Sequence, residues 1–158
     1  MPRLPHLTQS GEVHIVDIAD KPATRRVAIA EGWIFMLPET ARLVREQQVH
    51  KGDVLAVARI AGLMAAKRTA EIVPLCHPVA LAHVAVDIEP ADDGSGFRCQ
   101  AEAVTTGPTG VEMEAMHAVQ ATLLTIYDMC KATDRGMTLT DIRLVHKRGG
   151  RSGTWNRE

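Results

Sequence analysis

Two groups of residues in this 158-residue chain could do chemistry, and they lie far apart in sequence. The first is the segment IVPLCHPVAL, residues 72–81, where Cys76 and His77 interrupt an apolar run flanked by Pro74 and Pro78. A thiol beside an imidazole suggests a nucleophile with its base. The prolines argue against that, because each biases the residue before it towards extended backbone. Successive side chains of an extended chain point to opposite faces. Cys76 and His77 therefore look in different directions, and His77 is expected to act without the thiol.

The second group lies on TGVEMEAMHAVQATLLTIYDMCKA, residues 109–132. Read as a helix with about 100° per residue, Glu114, His117, Ala121, Asp128 and Lys131 share roughly 100° of arc. Asp128 and Lys131 are one turn apart, close enough to pair. A solvated helical face is the ordinary explanation of such a pair. The apolar neighbours of Asp128 predict instead a carboxylate set in a cleft, where burial and Lys131 tune its proton affinity. Glu114 and Asp128 lie about 21 Å apart along the helix, too far for one compact site within one chain. Either they serve different purposes, or chains pack so that one helix start meets another helix end.

Cations occur at three further places. HKGD puts Lys51 just before a helix start, with Gly52 permitting close approach of an anion; an exposed lysine beside a plain cap is the simpler reading. HKRGGRSG joins Lys147, Arg148 and Arg151 to three glycines, which reads equally as a phosphate-binding concavity or as a disordered basic tail. Arg25 and Arg26 interrupt an apolar strand, where alternation lets one of them face inwards. With a formal net charge of −1, this pattern suits a phosphorylated small molecule better than a nucleic acid.

The elements that must position these residues follow from periodicity. HIVDIA, residues 14–19, alternates as a short strand, and TRRVAIAEGWIFM is strand-like throughout. Pro38 opens the helix PETARLVREQQ. Asp53 is the cap candidate for an Ala-rich helix whose stripe reads Val54, Val57, Ala58, Ala61, Met64 and Ala65. HVAVDIE and FRCQAEAVT alternate on either side of the turn DDGSG, with Phe97, Cys99, Ala101 and Ala103 on one face. Thr109 and Glu112 have the spacing of a capping box for the long helix, and MTLTDIRLVHK is the last strand. From Thr24 the order is strand, helices, strand, strand, helix, strand. That predicts an α+β, ferredoxin-like split βαβ fold with helices on one face of an antiparallel sheet. Residues 1–158 read as one domain, with 1–13 and 149–158 as flexible tails.

Composition narrows the function. Hydrophobic residues make up 46% and aromatics 3%, so the core is aliphatic and little is left for a base-stacking platform. Three cysteines and no signal peptide or membrane-length apolar run predict a cytoplasmic protein. No Cys/His spacing supports zinc, and Cys76, Cys99 and Cys130 read as small core hydrophobes. Apolar sheet and helix surface left over by one helical layer predicts oligomers.

With HKGDVLAVARIAGLMAAKRTAEIVPLCHP, TGVEMEAM, LTIYDMCKA and GGRSG in hand, the chain resembles the cyclic pyranopterin monophosphate synthases, the protein C family of molybdenum cofactor biosynthesis, from about Leu7 to Trp155. The resemblance implies a lyase that converts (8S)-3′,8-cyclo-7,8-dihydroguanosine 5′-triphosphate to cyclic pyranopterin monophosphate with release of pyrophosphate. It implies a homohexamer, a trimer of dimers, with active sites at subunit interfaces. It places catalysis on Asp128, Lys51 and Lys131, pocket contacts on Leu75, Cys76, His77, Met113 and Glu114, and phosphate contacts on Arg26 and Lys147. No resident metal or redox cofactor is implied; Mg²⁺ is the cation a triphosphate would bring. Two positions depart from the family pattern. Pro108 stands where a Lys or Arg is usual, and Arg148 replaces a small residue. The rival readings are a catalytically dead nucleotide- or pterin-binding module and, disfavoured by charge and aromatic content, a nucleic-acid binder.

Overall fold

The computed structural model describes residues 4–158, so the first three residues of the expected N-terminal tail lie outside the described residues. Five strands, β1 (Thr24–Phe35), β2 (Leu81–Pro90), β3 (Gly96–Gly107), β4 (Thr138–Arg148) and β5 (Thr154–Asn156), form one sheet in the order β2-β3-β1-β4-β5. Every pairing is antiparallel. Helices α1 (Pro38–Arg45), α2 (Val54–Ala66) and α3 (Thr69–Ile72) connect β1 to β2, and α4 (Glu112–Cys130) connects β3 to β4. The first four strands thus follow the split βαβ order of a ferredoxin-like fold.

Small residues on the sheet let α4 sit close. Ala28, Ala30 and Ile34 of β1 and Phe97, Cys99, Ala101 and Ala103 of β3 are fully buried, matching the alternation of both strands. Between the β1 residues, Gly32 leaves no room for a side chain: a Cβ there would come to 2.9 Å from Val119 and 3.0 Å from Leu123. On the opposite face, Glu31 is buried between the guanidinium groups of Arg98 and Arg143, which both lie over the Trp33 ring. Burial pushes the Glu31 carboxyl up, but the hydrogen bonds from the two arginines outweigh it and hold the carboxyl low.

The α2 helix starts as expected, with the Asp53 side chain accepting a hydrogen bond from the Ala56 N–H at 3.0 Å. Its buried row differs from the expected stripe. Val54, Ala58, Gly62 and Ala66 face inwards, whereas Val57 and Met64 are exposed. The reason is the tight crossing with α4, where a Cβ on Gly62 would lie 2.2 Å from Thr122 Oγ1. Only small residues at every fourth position permit that approach, so the larger side chains turn away.

Three other expectations are revised. Residues 14–19 are irregular rather than a strand; among the described residues the isolated bridge of the N-terminal segment lies just before them, between Leu7 and Val13. Their alternation is real, because Val16 and Ile18 are the half-buried ones, but they face a cavity and not a sheet. The capping box does not form: α4 begins after Val111 with no side-chain cap, and Glu112 takes another partner. The C-terminal segment read as a tail contains β5, which pairs Thr154, Trp155 and Asn156 with Arg148, Lys147 and His146. Left-handed backbone at Gly149, Gly150 and Gly153 turns the chain back for that pairing.

Candidate active site

The helix α4 carries a charged cluster at each end. At its start, the short helix α3 runs into a tight turn in which the Cys76 N–H donates to the Val73 carbonyl at 3.1 Å. Pro74 and Leu75 fill the middle of that turn, and the chain leaves it extended towards Pro78. Leu75, Cys76 and His77 thereby line a cavity of about 400 Å³ together with Glu112, Met113 and Glu114. Val16, Ile18 and Lys21 of the N-terminal segment close its far side.

Glu114 is the unusual group here. It is 3% exposed, and its Oε2 atom is buried without a hydrogen-bond partner among the described residues. Burial pushes its carboxyl up to about 6; its backbone hydrogen bond opposes the rise and the Glu112 charge adds to it. The Cys76 thiol lies 4.0 Å from Glu114 Oε1 and 3.7 Å from the His77 carbonyl, with no contact to the imidazole among the described residues. Burial, followed by the charges of Glu114 and Glu112, raises the thiol and disfavours the thiolate. Cys76 therefore lines the cavity as a small apolar wall and, among the described residues, makes no hydrogen bond to the His77 ring, although both border the same cavity.

Behind this wall, Lys147 Nζ donates to Glu112 Oε1 at 2.8 Å. Burial pushes the Glu112 carboxyl up, but Lys147 outweighs it and the carboxyl stays ionised below its ordinary value. Arg26 sits beside them and donates to the carbonyls of Gly107 and Pro108, each at 3.0 Å. Pro108 brings no cation here, and its carbonyl, with that of Gly107, orients the Arg26 guanidinium. Glu112 and Lys21 line the cavity, although sequence reasoning did not place them there. Glu112 matched a local cap signal, and its partner Lys147 lies on another strand with no local signature.

At the far end of α4, Lys51 reaches over from the turn before α2. Its Nζ donates to the Asp128 carbonyl at 2.9 Å and lies 3.5 Å from Oδ2. Lys131 Nζ donates to Oδ1 at 2.6 Å. Asp128, Lys51 and Lys131 therefore form one cluster, although Lys51 is remote in sequence. The expected cleft is absent in the single chain, where the Asp128 side chain is 58% exposed. The apolar neighbours that suggested burial, Ile126, Met129 and Cys130, point to the core, and helical geometry turns Asp128 the other way. The hydrogen bond and charge of Lys131, then the charge of Lys51, hold its carboxyl below the ordinary value.

The structure thus brings together Lys51, Asp128 and Lys131 at one end, and Leu75, Cys76, His77, Met113 and Glu114 at the other, with Arg26 and Lys147 adjoining Glu112. It does not bring the two sets together. A carboxylate between two ammonium groups can exchange and steer protons. A cavity with a buried carboxyl and an imidazole can hold a polar ring, and the adjoining cations suit phosphate.

Comparison with known proteins identifies the family. The chain is 54% identical, over all 158 of its residues and 95% of the relative, to the cyclic pyranopterin monophosphate synthase of Thermomicrobium roseum. The model of the MoaC family matches residues 15–150, a span that contains both clusters, and the chain belongs to that family.

Proposed function

We propose that this chain is a phosphorus–oxygen lyase of molybdenum cofactor biosynthesis. It converts (8S)-3′,8-cyclo-7,8-dihydroguanosine 5′-triphosphate to cyclic pyranopterin monophosphate and releases pyrophosphate. Family membership and the relative's activity support the reaction. The observation that carries the site assignment is the split: an exposed Lys51–Asp128–Lys131 cluster at one end of α4 and a carboxyl-lined cavity at the other. A second copy that seats its Asp128 end over this cavity completes one site, in a homohexamer built as a trimer of dimers.

Closing a cyclic phosphate with loss of pyrophosphate requires a hydroxyl oxygen to attack the α-phosphorus while the bond to the bridging oxygen of the β-phosphate breaks. The hydroxyl proton needs an acceptor, and the departing oxygen needs a cation or an acid. Asp128 is the ionised acceptor, and the ammonium groups of Lys51 and Lys131 offset the departing charge and supply protons during ring rearrangement. His77, Met113 and Glu114 hold the ring, with Leu75 and Cys76 as apolar wall, and Arg26 and Lys147 stabilise phosphate. In this reading no resident cofactor takes part, and Mg²⁺ arrives on the triphosphate. Among the described residues no helix is long and apolar enough to cross a membrane, consistent with a cytoplasmic enzyme acting on a diffusible substrate.

Incubating purified protein with the cyclic triphosphate tests the reading. Pyrophosphate and the pyranopterin should appear together. Tight binding without release would assign a catalytically dead binding module instead.

A further inference from the structure

The cavity wall that carries Leu75, Cys76 and His77 has little backbone bonding to hold it in place. Pro74 and Pro78 bring no N–H. Among the described residues, the Cys76 N–H bonds back to the Val73 carbonyl inside the turn, and the Cys76 thiol faces the carbonyl of its neighbour His77. Neither bond ties the wall to another element. The contact of Cys76 Sγ with Glu114 Oε1, at 4.0 Å, is that of a weak donor. A segment bonded so sparsely keeps its place only if its two ends are pinned.

Both ends are pinned by side chains. At the head stands Thr69, the buried first residue of α3. Its Oγ1 atom lies 3.2 Å from the carbonyls of Ala65 and Ala66 and 3.1 Å from His117 Nδ1. A hydroxyl has one proton, and carbonyls can only accept. The Thr69 proton goes to them, so His117 donates from Nδ1 to the lone pairs of Oγ1. His117 follows Glu114 by one turn of α4, and this bond therefore sets α3 against the turn that carries the buried carboxyl. At the tail, the buried Thr105 of β3 donates its hydroxyl to the Ala80 carbonyl at 2.6 Å. The pairing of β2 with β3 begins only at the next residue, Leu81, so the sheet ladder does not reach the wall.

We infer that His117 and Thr105 are positioning residues of the cavity. Neither is among the residues that line it, yet together they hold residues 70–79 at the spacing from Glu114 that lets Leu75, Cys76 and His77 face a ligand. This inference rests on the pocket role proposed above for His77 and Glu114, and adds to it the groups that set their separation. Loss of either anchor frees one end of the wall and misplaces His77. Lys51, Asp128 and Lys131, at the far end of α4, are left as they were. Ligand binding is then weakened while the proton-transfer groups stay intact, so KM rises more than kcat falls.

The test pairs each anchor-deleting variant with a conservative one in the full-length protein. Thr105→Val and His117→Leu remove the hydrogen bonds, whereas Thr105→Ser keeps the hydroxyl and His117→Asn keeps a donor near the Nδ1 position. Iodoacetamide alkylation of each cysteine, followed by peptide mass spectrometry, reads the wall directly. Cys76 should react about tenfold faster in Thr105→Val and in His117→Leu, the opening expected when one buried hydrogen bond is lost. Its rate in Thr105→Ser and His117→Asn should match that of the unaltered protein. Cys99 and Cys130, both buried, should stay protected throughout. With the cyclic triphosphate, KM should rise about tenfold in the first pair of variants while kcat changes by less than about threefold. Equal Cys76 rates in all variants, or a parallel rise at all three cysteines, overturns the anchoring, as does a fall in kcat at constant KM. A Cys76 contrast in a protein that never forms the pyranopterin keeps the anchors and removes the proposed reaction instead.

Discussion

Glu114 and Asp128 stand on the same helix with opposite fates. Glu114, in the first turn of α4, is 3% exposed, lacks a partner on Oε2 and has its carboxyl raised to about 6. Asp128, in the last turn, is 58% exposed, is held by two lysines and has its carboxyl lowered. Burial without a partner favours the neutral acid, whereas exposure beside two cations favours the anion. One helix therefore offers a carboxyl that keeps its proton up to about pH 6 and another that gives it up below the ordinary carboxylate range. Protonation is separated by placement, since the two side chains are chemically almost the same.

The largest effect should come from removing the ionised partner. Asp128→Asn keeps the size of the side chain at an exposed position, so the fold and the substrate affinity should persist while turnover falls by about 10²–10⁴-fold. Steady-state kinetics with circular dichroism on the same preparation check this, and appreciable pyranopterin formation would remove Asp128 from the mechanism.

Whether the two ends meet in one site is decided by mixing. Co-refolded Asp128→Asn and His77→Ala chains should recover activity at about a quarter of their sites, because each site draws one end from each of two chains. Asp128→Asn mixed with Lys131→Ala should recover none, since both defects lie at the same end. No recovery in the first mixture, with an active monomer in sedimentation, would falsify the shared site.

A smaller effect should appear in stability. The Glu114 carboxyl has a raised affinity for its proton in the folded state, so the stability it contributes is full below its ordinary value of 4.5 and is lost as the pH rises through about 6. At pH 8 the Glu114→Gln protein should thus exceed the unaltered one by up to about 2 kcal/mol, with the gap closing below pH 4.5. Denaturant unfolding at both pH values measures it, and a gap independent of pH would show that Glu114 does not titrate with a raised affinity.

The smallest change is expected at Cys76. With its thiol raised and no imidazole in contact, Cys76→Ala should cost about 1 kcal/mol or less in stability and leave most of the activity. Loss of turnover comparable to that of Asp128→Asn would restore the thiol as a nucleophile.

Local sequence determined what local physics controls. Alternation set the buried face of β3, and Asp53 marked the start of α2. The fold order followed from the sequence of periodicities, and the length of α4 already showed that Glu114 and Asp128 do not share one compact site within a chain. Tertiary structure decided everything that depended on a remote partner. Glu112 abandons a local cap for Lys147 on another strand, and Gly62 rotates α2 because Thr122 lies across the interface. Alternating residues 14–19 wall a cavity because no strand edge receives them. Asp128 comes out exposed despite apolar neighbours, since a helix sends adjacent residues in different directions and only the packed core says which direction is inside. Periodicity records what a residue prefers; which group it meets is fixed by chain segments far away in sequence.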